Sequence, residues 1–409
     1  MEKEFDFESF KKEAVKDLLA GKQLSGPDGV LAPLIKQFLE SALESELQNH
    51  LAQEKGVGNV NRRNGRTSKE VRSLSGGSFG LDTPRDRSGS FEPKIVQKRQ
   101  MFLGEDLENK VVLMYARGMG YEDISAELYQ IYGIEASPAF ISQVTDKVLP
   151  LVDEWRRRPL EQVYCFTFLD AMHFRVRGEN GRVESRMLYL VLGIGSNGHK
   201  DILGMYLAEN EGAKFWLSVL DDLRSRGVED LLIVSVDGLK GFEQAIRAVF
   251  PQAQVQQCIV HQVRHSAKFV CDKDLKEFMK DLKKVYQATN LSDAEGELDN
   301  LERNWKNKYP PVIKSWRDNW MTLSTFFQYP EPIRRVMYTT NLIEGFNRRI
   351  RKVTKTKGAF VSETALLKLV FLIIRETSKK RSSAYDNWGQ IASQLFIIFG
   401  ERAKIDIRN

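Results

Sequence analysis

Cysteine is scarce in this chain. Cys165, Cys258 and Cys271 are spread over 409 residues at no framework spacing, which excludes a disulfide-stapled scaffold and points to a reducing compartment. Long apolar runs are missing as well. No uninterrupted stretch approaches the roughly 18 residues of a membrane span, and the most apolar window, residues 366–374, is short and carries Lys368. The opening MEKEFDFESFKKEAVKD is charged and has no signal-peptide core. These absences give the expectation of a cytoplasmic protein without a membrane partner. Neither sign of charge dominates: the net charge is +6 and the pI near 9.0, a balance that suits a polyanion without requiring one. What is present, 42% hydrophobic residues among 409, suffices for a real core and for two or three domains.

The most informative stretch is residues 231–266. LLIVSV reads as a strand buried on both faces, ended by Asp237 and broken by Gly238. Phe242, Ala245, Ile246 and Val249 then form a helical stripe within residues 239–250, stopped by Pro251. Residues 255–259 read as a second short strand, with Cys258 and His261 at a CxxH spacing. A carboxylate at the tip of a buried strand is where open α/β sheets keep their chemistry; the plain alternative is a cap for the following helix. Two further acids stand in matching places. Asp170 ends the apolar run YCFTFL, and Glu344 lies near the start of a helix marked by Ile343, Phe346, Ile350 and Val353. Two such charges about 4 Å apart repel by about 4 kcal/mol at an effective dielectric near 20, so convergence implies a cation, and hard oxygen ligands suit Mg²⁺. Zinc is a poor reading of CxxH: one Cys and one His make half a tetrahedral site, and His265 and Cys271 complete no familiar pattern.

The segments VDGLKGFEQAI, FPQAQVQQCIVHQVRHS and YTTNLIEGFNRRIRK resemble the Mutator-type transposases of bacterial insertion sequences. The block TPRDRSGSFEPKIV is similar to the same family. The resemblance implies an α/β fold: a ribonuclease-H-like mixed-sheet catalytic core, an all-α insertion domain and an N-terminal helical DNA-binding region. It implies a DDE transposase in which Asp170, Asp237 and Glu344 are the catalytic residues and metal ligands, Asp170 shared by two Mg²⁺ ions and each of the others mainly serving one, with Mn²⁺ able to substitute. The implied partners are DNA, as terminal inverted repeats and as target, and a second copy of the chain, since two ends must be held at once; the implied location is the nucleoid. The sequence departs from the family pattern at Arg175, where Lys often follows the first aspartate, and at Gly345-Phe346, where Ser-Leu is frequent. Neither change removes a ligand. Two rival readings are a domesticated DNA-binding protein without catalysis and a nuclease of the same fold that cuts without joining.

In chain order, residues 1–55 form an N-terminal helical region in which Leu31, Leu34, Ile35, Phe38, Leu39, Ala42, Leu43, Leu47 and Leu51 make an amphipathic stripe, suited to the body of its own chain or to a second copy. Residues 56–100 are a polar arm, with a hairpin within 71–81 turning at Gly76-Gly77; Arg62, Arg63 and Arg66 suit either a solvated linker or a DNA backbone. Residues 101–160 read as three helices resembling a helix-turn-helix, with Ser137 as N-cap and Pro138 in the first turn. There Ala139, Ser142, Gln143, Thr145 and Lys147 would face outward, and Gln143 and Lys147 are expected on DNA. The core occupies 161–270, with strands MLYLVLGIG and 201–207 and a helix at 213–226, and resumes at 337–378. Between lies the helix-rich insert 271–336, which holds Trp305, Trp316 and Trp320, expected to pack its core or, for one of them, to stack on an unpaired base. A peripheral helical tail covers 379–409. Further DNA contacts are expected from Arg264, Asn347, Arg348, Arg351 and Lys352. His261 has two open roles, a contact near the scissile phosphate or, with Cys258, a buttress for the strand.

Overall fold

The structure is a computed structural model that describes residues 6–24, 29–73, 77–98, 100, 102–103, 105–209, 212–238, 241–338, 341–380 and 383–405. The chain divides into two units, Met1–Val148 and Leu149–Asn409.

In the first unit, α1 (Phe7–Leu19) is capped by Asp6, whose carboxylate accepts from the Ser9 N–H. The expected amphipathic stripe forms α2 (Ala32–Gly56), with Leu43 and Leu47 fully buried. It lies on a hairpin of β1 (Arg63–Ser73) and β2 (Gly77–Asp86), where Leu43, Val71, Leu81 and Val96 close a small core. Phe38, although on the stripe, is 77% exposed. The hairpin is longer than its turn signal suggested, so most of the basic run from Arg63 to Arg72 belongs to a paired strand; Gly76 itself lies outside the described residues. A short β3 (Phe102–Leu103) pairs with β1 in parallel. Three helices come next: α3 (Glu105–Ala116), α4 (Tyr121–Tyr132) and α5 (Pro138–Asp146). Gly133, at φ 62°, ends α4 in the left-handed conformation that glycine adopts without strain. Ser137 caps α5 by accepting from Phe140 N–H at 3.2 Å. One outward assignment fails. Thr145 is fully buried and donates to the Ser142 carbonyl, because the stripe of α5 includes it beside Ile141 and Val144.

The second unit opens with α6 (Leu149–Arg157). Its Trp155 meets Phe371 of a later helix edge-on at 5.9 Å, so α6 packs with the sheet-bearing unit. Apolar, β-branched runs then form a five-stranded sheet from β4 (Val163–Arg177), β5 (Val183–Gly195), β6 (Lys200–Ala208), β7 (Asp230–Val236) and β8 (Gln254–Gln257), in the order β6-β5-β4-β7-β8. β5 pairs antiparallel with both β4 and β6, and β7 runs parallel to β4 and to β8. Between β6 and β7 comes α7 (Ala213–Ser225), and between β7 and β8 comes α8 (Phe242–Val249). Trp216 of α7 packs edge-on against Phe242 of α8 at 4.3 Å, in one cluster with Val191, Val234 and Leu231. Two strand boundaries differ from expectation. β4 does not end at Asp170, because β5 continues to pair with it as far as Arg177. β8 stops at Gln257, because Ile259 begins α9 (Ile259–Ala267) with Cys258 at the N-cap.

Among the described residues, every long element of the insert is a helix: α10 (Asp272–Tyr286), α11 (Leu291–Trp305), α12 (Pro310–Asp318), α13 (Trp320–Leu323) and α14 (Glu331–Tyr338). Trp305 and Trp316 are buried, and Trp316 donates to Ser266 at 2.9 Å; both serve packing. α15 (Asn341–Thr354) and α16 (Glu363–Lys380) lie against β4. The tail is not peripheral. α17 (Trp388–Phe399) seats Trp388 against Phe166 and over Gly198, where a β-carbon would collide with the ring, and Arg402 pairs with Asp230 at 2.9 Å. Among the described residues, no helix is long and apolar enough to cross a membrane.

Candidate active site

Strand register sets the first two carboxylates. The parallel β4–β7 ladder ends at the pair Leu169↔Val236. The next residue on each strand is an aspartate, so Asp170 and Asp237 emerge side by side where β7 stops and β4 runs on beside β5. Asp170 is 9% exposed and its Oδ1 accepts from Ala171 N–H at 2.9 Å. Asp237 is half-buried and accepts from Gly238 N–H at 2.9 Å. At Gly238 a β-carbon would come 2.5 Å from the Gln257 amide nitrogen, so a larger residue there would displace that side chain.

His261 completes a cluster. It sits on α9, one turn after Cys258, with Nδ1 3.6 Å from Asp237 Oδ1, and ligand atoms of Asp170, Asp237 and His261 lie within 4.8 Å of one another. Its hydrogen bond with Cys258, together with the charges of Asp237 and Asp170, outweighs burial and pushes the imidazole pKa up to about 9. Burial raises the pKa of Asp170, and Asp237 adds to this; His261, the Ala171 N–H and Arg351 act the other way. To the two roles left open for His261, this geometry adds a third, direct contact with the aspartate pair.

Glu344 comes from a different element. It occupies the first turn of α15, and its Oε1 accepts from Arg264 Nη1 of α9 at 2.7 Å. One turn on, Asn347 is 1% exposed and donates from Nδ2 to Asp170 Oδ2. The expectation of Asn347 on DNA is therefore corrected: it faces the aspartate, not solvent. Its neighbours Phe346 and Ile350 are fully buried, and their spacing was the signal that put Asn347 on the inner face. Two buried polar atoms here have no hydrogen-bond partner among the described residues, Asn347 Oδ1 and His261 Nδ1. The Asn347 oxygen, beside two carboxylates, fits a hydrated divalent cation, whose waters and charge would satisfy it.

The expected DNA contacts divide into two kinds. Arg63 and Arg66 both pair with Glu44 of α2, and Lys147 pairs with Glu108 at 2.6 Å. Arg62 and Gln143 are exposed, as are Arg348, Arg351 and Lys352 along α15.

Comparison with known proteins decides the family. The profile described as Transposase, Mutator family matches residues 8–384. The chain belongs to the Mutator family of transposases. It is 43% identical over 403 residues to the transposase for insertion sequence element ISRM3 of Rhizobium meliloti, covering 96% of this chain and 99% of the relative. The same identity and coverage hold for the probable transposase for insertion sequence element ISRM3-like of Sinorhizobium fredii. The transposase for insertion sequence element IS905 of Lactococcus lactis is 33% identical over 370 residues, 89% of this chain and 93% of the relative. For a Mutator-family chain, the aspartate pair with its adjacent helix is the natural place to look for chemistry on DNA.

Proposed function

We propose that this chain is the transposase of an insertion sequence that cleaves DNA at the ends of its element and joins them to target DNA, at a site formed by Asp170, Asp237 and Glu344. The observation that carries this reading is the register of β4 and β7, which sets two carboxylates side by side with a third on the helix that contacts one of them. The strand order, three antiparallel strands followed by two parallel ones on the far side of the first, supports a ribonuclease-H-like core.

Each residue then has a task. Asp170 and Asp237 hold the cation site, and Asn347 fixes the rotamer of Asp170 through Oδ2. Glu344 joins them once Arg264 transfers its hydrogen bonds to a DNA phosphate. Magnesium, two ions in this reading and replaceable by manganese, would lower the pKa of the attacking water or hydroxyl and stabilise the departing oxygen. Hydrolysis frees a 3′-hydroxyl; that hydroxyl attacks a target phosphate and expels the target 3′-oxygen, so the number of phosphodiester bonds is conserved in joining. His261, one side on Asp237, is placed to contact the phosphate being cut. Arg348, Arg351 and Lys352 extend this anion-binding face along α15, α5 of the helical module reads the element end through Gln143 and Lys147, and Arg62 adds backbone contact. A second copy meets the chain through α2, where Phe38 is exposed.

The test is cleavage and joining in vitro on an element-end duplex with Mg²⁺. Asp237→Ala should yield neither product, and activity at the wild-type level in that variant would remove the site. Cleaved product without joined product would favour the nuclease reading; full biological function in an Asp170→Asn/Glu344→Gln variant would favour the domesticated one.

A further inference from the structure

A cleft of about 490 Å³ lies one step along β4 from the aspartate pair. Its position comes from matched pitch. Asn347 meets Asp170; two strand residues on, at Met172, advance about 6.6 Å, and four helix residues on, at Arg351, advance about 6 Å. Phe174 and Lys355 stand at the next step. Strand and helix thus diverge little, and the space between them continues from the carboxylates to Phe360, whose backbone pairs with β4 at Arg175 and Arg177.

Beside His173, Thr354, Lys357 and Gly358, the lining has two kinds of side chain. Met172, Phe174 and Phe360 are apolar, the two rings edge to face at 5.8 Å. Arg175, Arg351 and Lys355 are cationic, exposed, and in no ion pair with a described residue, and no acidic side chain lines the cleft. A hydrated phosphate alone has no use for aromatic walls, and an apolar ligand has no use for three unpaired cations. A ligand with a flat apolar part and an attached anion uses both. A nucleotide within a regular duplex cannot, because its base is stacked and paired.

We propose that this cleft seats one unpaired nucleotide of the DNA strand being processed, its base against Phe174 and Phe360 and its phosphate on Arg175, Arg351 and Lys355. The inference rests on the reading of Asp170 and Asp237 as the cutting site, which fixes the nucleotide as an immediate neighbour of the scissile phosphate. It gives the unpaired base a platform other than the insert tryptophans, two of which are buried.

The experiment uses the full chain and element-end duplexes, taken from the DNA flanking its coding sequence, in which 2-aminopurine replaces one base at a time across the cleavage point. Binding is measured without divalent metal, so fluorescence is independent of cutting. Brightening at one position beside the cleavage point is expected. Phe174→Leu keeps an apolar side chain but removes the ring, and should shift the inserted-to-stacked balance of that base by about tenfold. Arg175→Ala, at an exposed side chain, should lower the slope of log affinity against log salt by about 0.7–0.9. Brightening at no position, brightening unchanged in Phe174→Leu, or a salt slope unchanged in Arg175→Ala overturns the proposal. Asp237→Asn separates the two readings. Lost cleavage in Mg²⁺ with brightening retained supports both; lost cleavage with no brightening even in the wild type sinks the cleft alone; retained cleavage in Mg²⁺ sinks the cutting site and, with it, the place assigned to this nucleotide.

Discussion

The carboxylates of this chain are held in two ways. Asp170 and Asp237 stand on neighbouring parallel strands, fixed by a backbone ladder and by Asn347. Glu344 stands on a helix, and its carboxylate is engaged by Arg264 of another helix. Hydrogen-bonded strands cannot slip without moving a whole face of buried side chains, whereas a glutamate in a first helical turn changes partner by rotating its own bonds. The difference teaches that, in the proposed site, the sheet would supply a standing pair and the helix a third group recruited by a change of partner.

Variants at the two kinds of position should separate them. Asp170→Asn and Glu344→Gln should each lower Mg²⁺-dependent cleavage by about 10³-fold or more, the scale of losing several kcal/mol of charge stabilisation. Only Asp170→Asn should weaken Mn²⁺ binding by the DNA-free protein, read by calorimetry; equal loss in both would mean that Glu344 already belongs to the standing pair. Asp170→Asn should also raise the melting temperature in chelator at neutral pH. Its folded pKa is raised by burial, so its contribution to stability is greatest below the unfolded carboxylate range and is lost as pH rises through the folded value.

Asn347→Ala should lower metal affinity by about 10–100-fold, as loss of a ligand-orienting partner does. Rescue by Asn347→Gln or Asn347→Ser, but not by Asn347→Leu, would show that the hydrogen bond matters rather than the volume. His261 offers a smaller effect. Its folded pKa, about 9, lies above the ordinary 6.5, so in chelator its stabilisation is complete below about pH 6.5 and disappears as pH rises through about 9. Thermal melts should lose about 1–2 kcal/mol over that window after solvent screening, and His261→Gln should flatten the profile. The least effect is expected from Arg264→Ala without DNA: a few-fold gain in Mn²⁺ affinity as Glu344 is released, since an exposed ion pair holds by about 0–1 kcal/mol. A loss of affinity there would mean that Arg264 positions Glu344 for the metal and does not withhold it.

Much of the frame was legible because helical stripes and buried strands are local signals. α2, α5, α7, β5 and β7 lie close to where periodicity set them. Misplacements came where a distant partner decided. β4 outran its apolar run because β5 pairs beyond Asp170, and the tail joined the core because Gly198 leaves room for Trp388. At the candidate site the two aspartates that the strands set side by side stand after buried runs in the sequence, whereas Asn347 lies in a strongly basic segment, where its charged neighbours mask the burial signalled by Phe346 and Ile350.

The amino-acid order alone determined which residues could be buried, where strands give way to acids, and the family to which the chain belongs, since each is written in short contiguous segments. Tertiary structure decided what those acids meet. The pairing Leu169↔Val236, the bond from Asn347 to Asp170 and the bond from Arg264 to Glu344 join residues many tens of positions apart. No local preference specifies such contacts; they arise from packing the sheet, its covering helices and the insert around one core.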